Sequence, residues 1–174
     1  MLAVAIIAGI TQLVQTPSRD TDYGPLEPVT LFIATDLHYL SPELTDHGPY
    51  FRELIANGDG KAMEYCEEIT DTFLGEVIAQ KPDALILSGD LTFNGAKLSH
   101  AALAEKLLSV EEAGIPVLVL PGNHDLENPM AASFQGTGYT LVESICAEQF
   151  DKLYQDFGLG EAIATDTASL SYVA

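Results

Sequence analysis

Basic residues are scarce in this chain. Seven Lys and Arg stand against 26 Asp and Glu, a net charge of -19. A surface of that sign repels nucleic acid and anionic membranes, so partners bound through positive charge are excluded. It also repels phosphate at long range, so a phosphate site would need a local cationic centre such as a metal cluster. Cysteine is sparse as well. Cys66 and Cys146 lie far apart in sequence, which leaves two buried thiols or one disulfide as the readings. There is no internal repeat and no low-complexity tract. Long apolar runs are missing too. The apolar stretch Met1 to Ile10 is too short to span a bilayer, and no Lys or Arg precedes it, Arg19 being the first cation. It has the length of a signal-peptide core without the basic start. Residues 1–15 therefore read as an apolar signal- or anchor-like segment, with an extra strand or helix packed on the domain as the alternative. Export or membrane anchoring follows from the first reading and a cytoplasmic protein from the second. No stable membrane span is expected in this chain.

Residues 16–28 hold Pro, Asp, Ser and Gly and read as a linker, which leaves a single domain over residues 29–174. Three short apolar runs look like strands: Thr30 to Ala34, Ala84 to Leu87 and Pro116 to Leu120. Helical patterns separate them. Ala62, Tyr65, Cys66, Ile69, Phe73 and Val77 predict a helix over about Lys61 to Gln80. Ala101, Leu103, Ala104, Leu107 and Leu108 predict another, ended by Gly114. Glu143 to Phe157 is predicted helical, and Ser169 to Val173 alternates like a strand. Tyr39 to Lys61 is read as one long polar loop. Strands alternating with helices predict an α/β fold with a parallel sheet.

A polar cluster follows each strand run: Asp36-Leu37-His38, Gly89-Asp90 and Gly122-Asn123-His124-Asp125. A parallel sheet brings all three to the carboxyl ends of its strands, where open α/β sheets place their ligand sites. In an extended segment, residues two apart point the same way, so Asp36 and His38 are expected to face one ion. Asp90 has two oxygens and can bridge two ions, while Gly89 permits close backbone approach. Asn123 offers a neutral carbonyl oxygen. Carboxylate, imidazole and amide oxygen together suit a divalent transition metal, Mn, Fe, Co or Zn, rather than Ca. Turn formation and helix capping are the alternative use of these residues, but the ordered set of three clusters argues against it.

The ordered set resembles the calcineurin-like metallophosphoesterase superfamily, whose pattern is D-x-H, G-D, G-N-H-[DE], a lone His and G-H-x-H. The first three blocks are complete from Asp36 to Asp125. The last two are absent, because the other histidines are His47 and His100. The resemblance implies the N-terminal half of a metallophosphoesterase-type β-sandwich flanked by helices, in α-β-β-α layers, and a chain truncated relative to the whole fold. It implies two divalent ions, with Asp36 and His38 on the first, Asp90 on both and Asn123 on the second. It further implies that His124 sits beside the phosphate rather than on an ion, with Asp125 holding its ring. The reaction implied for the whole fold is hydrolysis of a small phosphodiester, favoured over a phosphomonoester, by a metal-bridging hydroxide, and this chain alone, without the last two blocks, is expected to be inactive or nearly so. A non-catalytic scaffold of the same fold, used for protein contacts, is the alternative. The oligomeric state is left open. The Asn94-Gly95 loop is expected to touch substrate, or else Thr92 or Asn94 is expected to cap the next helix. His47 is expected to be a solvated loop residue, and His100 is given no role. Tyr39 is expected to line the pocket or to pack.

Overall fold

The computed structural model describes residues 27–58, 60–166 and 168–174. The apolar segment 1–15 and nearly all of the linker lie outside the described residues. Three strands, β1 (Leu31–Ala34), β2 (Ala84–Ser88) and β3 (Val117–Leu120), form a parallel sheet in the order β1-β2-β3. The predicted strands and their parallel direction are therefore present. Phe32 pairs with Leu85, and Leu87 pairs with Val119. Strands pleat with period two, so Leu85, Leu87, Val117 and Val119 share one fully buried face. That face packs with Leu74 and Val77 of α2 (Cys66–Gln80) and with Leu103, Leu107 and Val110 of α3 (Lys97–Glu112).

Helix α2 departs from the predicted face. Val77 is buried as predicted, but Tyr65 and Ile69 are more than half exposed, and Thr70 and Leu74 turn inward. A buried threonine disguised the register, because its methyl packs while its letter reads as polar. The long loop is also more ordered than expected. It contains a 3₁₀ turn, Pro42–Leu44, and helix α1 (Pro49–Ala56). Pro49 sits at the first turn of α1, where its fixed φ and missing N–H are harmless. A hairpin of β4 (Ala132–Gln135) and β5 (Gly138–Leu141) packs against α1 and builds a second apolar cluster with Leu40, Leu44, Phe51 and Phe134. The carboxylate of Asp46 joins these pieces. It accepts from Gly48 N at 2.7 Å and Gly136 N at 2.8 Å, and the Gly136 bond helps hold its pKa below the usual carboxylate value.

The helix predicted over Glu143 to Phe157 is shorter than expected. It is α4 (Ala147–Leu153), followed by a π-helical turn over Gln155–Leu159. Of the predicted terminal strand, only β7 (Tyr172–Val173) pairs, with β6 (Ala164–Thr165). Cys66 and Cys146 are both free, so no disulfide forms. Among the described residues no helix is long and apolar enough to cross a membrane.

Candidate metal centre

All three polar clusters lie at the carboxyl ends of the parallel strands, but the backbone there is not extended. Asp36, His38 and Asp90 all have positive φ, 56°, 45° and 49°. The expectation that an extended segment points Asp36 and His38 the same way is corrected. Left-handed residues alternate with ordinary ones and turn the chain sharply. Hydrogen bonds from Asp36 N to Gly89 O (3.1 Å) and from His38 N to Asp90 O (3.0 Å) hold that shape. Such non-glycine conformations cost on the order of 1–3 kcal/mol each and persist at functional sites when the surroundings over-determine them.

The second and third loops meet through glycine. Gly89 has φ +86°, and a Cβ there would come within 3.3 Å of Gly122 Cα. A Cβ on Gly122 would overlap both the backbone N and Oδ1 of Asp90. This close approach lets His124 N donate to Asp90 Oδ1 at 3.0 Å.

The structure brings His38, Asp90 and His124 together, each offering one ligand atom, with all three atoms within 4.8 Å of one another. Asp36 joins at the rim. Its Oδ1 lies 3.4 Å from His38 Nε2, and its side chain is 57% exposed. Asn123 is exposed on the third loop beside His124. Burial, Lys61 and the neighbouring His124 ring hold the His38 pKa below its ordinary value, favouring the neutral imidazole that ligates metal. His38 Nδ1 is buried and has no hydrogen-bond partner among the described residues. Buried polar nitrogens are rarely left so, and an imidazole grouped with a carboxylate and a second imidazole fits a mixed N/O site for a divalent ion. The His38 and His124 rings meet edge to face at 4.8 Å. His124 thus belongs to the group of side chains that could hold an ion.

The expected partner of the His124 ring is corrected. Nδ1–H of His124 donates to the Phe93 carbonyl at 2.7 Å. Asp125 is fully buried and points elsewhere. Its carboxylate accepts from Leu91 N (3.0 Å), Thr92 N (2.8 Å), Thr92 Oγ1 (3.0 Å) and Gly122 N (2.7 Å). Four donors tie the loop after β2 to the loop after β3, so Asp125 braces the scaffold on which Asp90 and His124 stand.

His100 has more contact with the site than expected. It is fully buried. Its Nε2–H donates to the Asp125 carbonyl at 2.9 Å, and its Nδ1 accepts from Tyr154 OH at 3.0 Å. Burial lowers its pKa, against the pull of the Asp125 carboxylate. Its position, in helical register with Leu103, Ala104 and Leu107, was the signal that could have found it. Tyr39 packs in the core and donates to Glu67 at 2.5 Å. His47 is exposed, as expected. Neither Thr92 nor Asn94 is the N-cap of α3, which is Ala96.

The model of the calcineurin-like phosphoesterases matches residues 29–165. The chain belongs to this family. It is also similar to proteins named probable cyclic nucleotide phosphodiesterase. The one from Pseudoalteromonas sp. (strain SM9913) is 33% identical over 106 residues, 61% of this chain and 35% of that protein. The one from Ruthia magnifica subsp. Calyptogena magnifica is 39% identical over 61 residues, 35% of this chain and 25% of that protein. The one from Vesicomyosocius okutanii subsp. Calyptogena okutanii (strain HA) is 40% identical over 52 residues, 30% of this chain and 21% of that protein. The chain thus matches only about a third or less of these relatives' length. The α/β fold and the family expected from the three motif blocks are both present.

Proposed function

We propose that the protein is a metal-dependent phosphodiesterase whose substrate class is the cyclic nucleotides. The observation that carries this reading is the convergence of His38, Asp90 and His124 within 4.8 Å at the ends of three parallel strands. In this reading Asp36, His38, Asp90 and Asn123 would hold two divalent transition ions. Such ions supply a nucleophile from water at neutral pH and positive charge against phosphoryl oxygens.

The remaining roles fall to the chain itself. Nδ1–H of His124 is committed to the Phe93 carbonyl, so Nε2 is the nitrogen left to face the leaving oxygen, to which the imidazolium form of the ring would give its Nε2 proton. Asp125 holds the loops of Asp90 and His124 in register through its four bonds. The names of the relatives support a cyclic nucleotide. The net charge of -19 favours a diester, which carries less charge than a monoester.

The test is hydrolysis of 3′,5′-cyclic AMP and bis-p-nitrophenyl phosphate, with p-nitrophenyl phosphate as the monoester control. Diester turnover is expected to vanish in EDTA and return with Mn²⁺. Turnover indifferent to EDTA overturns the reading.

A further inference from the structure

We infer that the cleft beside His124 receives the base of the substrate, and that Asn94 selects bases whose edge offers an N–H donor. The inference rests on the phosphodiesterase reading above. The cleft measures about 290 Å³ and adjoins His124, with Tyr50, Phe93, Phe134 and Tyr139 as its aromatic walls and Asn94 among its polar atoms. That volume is near the lower end for ligand sites, roughly 300–1,000 Å³, and suits one flat ring system rather than a whole nucleotide. Tyr50 lies nearly parallel to Phe134, with 13° between planes and 6.3 Å between centroids. It is 5.7 Å from Tyr139. The frame is preformed, because Tyr50 N donates to Gly136 O at 3.2 Å and Asp46 binds Gly136 N across the hairpin turn.

The lining carries no Asp, Glu, Lys or Arg, although the chain has 26 acidic residues. It is therefore built for an uncharged ring. An aromatic cage also attracts a quaternary ammonium group. Asn94 decides between the two. Its Nδ2 donates to Met130 O at 3.0 Å, which fixes the amide and leaves Oδ1 as the other atom. Oδ1 is buried and has no hydrogen-bond partner among the described residues. A buried acceptor without a donor calls for one, and a quaternary ammonium has no N–H to give. An amino-bearing base does. Phe93, next to Asn94, holds the His124 ring through its carbonyl, so a base in the cleft places its ester beside His124.

The experiment is calorimetric titration of the protein in EDTA, where no turnover intervenes, with AMP, N6,N6-dimethyl-AMP, ribose 5-phosphate and phosphocholine. AMP is expected to bind about 5- to 100-fold more tightly than ribose 5-phosphate, the range for one base stacked on aromatic side chains. Tyr139→Ala should remove that preference. N6,N6-dimethyl-AMP, or AMP on Asn94→Ala, should bind several-fold more weakly than AMP on the wild type. Equal binding of AMP and ribose 5-phosphate, tighter binding of phosphocholine, or a preference that survives Tyr139→Ala overturns the inference. The two readings fail separately. EDTA-sensitive hydrolysis of a base-free glycerophosphodiester with no preference for AMP removes the base site and leaves the phosphodiesterase. A preference for AMP without EDTA-sensitive hydrolysis of any ester leaves the base site and removes the phosphodiesterase.

Discussion

Gly122 stands against Asp90 with no room for a side chain between them, since a Cβ there would overlap the Asp90 N and Oδ1. The obstacle is backbone as well as side chain, so it cannot simply rotate away. Gly122→Ala must push the third loop off the second and carry Asp90 and His124 apart. Because a misplacement of about 1 Å can cost roughly 10²-fold, diester turnover should fall at least that far. Steady-state kinetics of the folded variant check this.

Asp125 and His124 are neighbours with different work, and their variants should separate. Asp125→Ala leaves four donors without an acceptor, two of them backbone N–H groups of the loop after β2. Stability should drop by about 3 kcal/mol or more, read by urea denaturation. His124→Ala should leave the denaturation midpoint near wild type while turnover falls about 10²–10⁴-fold. A stable Asp125→Ala protein that has lost only turnover would return Asp125 to the reacting groups.

His100 makes stability depend on pH. Its folded pKa lies below the ordinary 6.5 because burial disfavours the imidazolium. Its Nδ1 accepts from Tyr154 OH in the neutral ring, and protonation would reverse that bond without repaying the cost of burying the charge. Below about pH 6.5 the unfolded chain takes up a proton that the folded chain refuses. The contribution is thus fully present above that pH and is lost as pH falls toward the folded value. The slope is up to about 1.4 kcal/mol per pH unit. Denaturation midpoints between pH 7.5 and 5 should fall less steeply for His100→Gln than for the wild type.

The parallel sheet and the placement of the motif loops were legible because apolar runs of four or five residues each ended in a polar cluster. The geometry inside those loops was not. Positive φ at Asp36, His38 and Asp90 is enforced by bonds between loops far apart in sequence, and no local pattern announces it. The partner of the His124 ring was missed for the same reason, since a backbone carbonyl at Phe93 has no signature in the letters. Helix α1 was missed although Gly48-Pro49 and the pair Phe51 and Leu54 mark a start and a face. Proline and glycine were read there only as loop formers. The β4–β5 hairpin, and with it the aromatic cleft, had only Gly136 and Gly138 to signal its turn.

In the proposed function the cluster around Asp90 holds metal for phosphodiester hydrolysis. Asp90→Asn tests it most directly, with bound metal read by elemental analysis and bis-p-nitrophenyl phosphate turnover measured on the same sample after Mn²⁺ loading. The amide keeps the shape and the oxygen that accepts from His124 N, but it removes the charge and one ligating oxygen. Metal content and turnover should fall together. Turnover near the wild-type rate in Asp90→Asn, persisting when EDTA is added, would contradict the account.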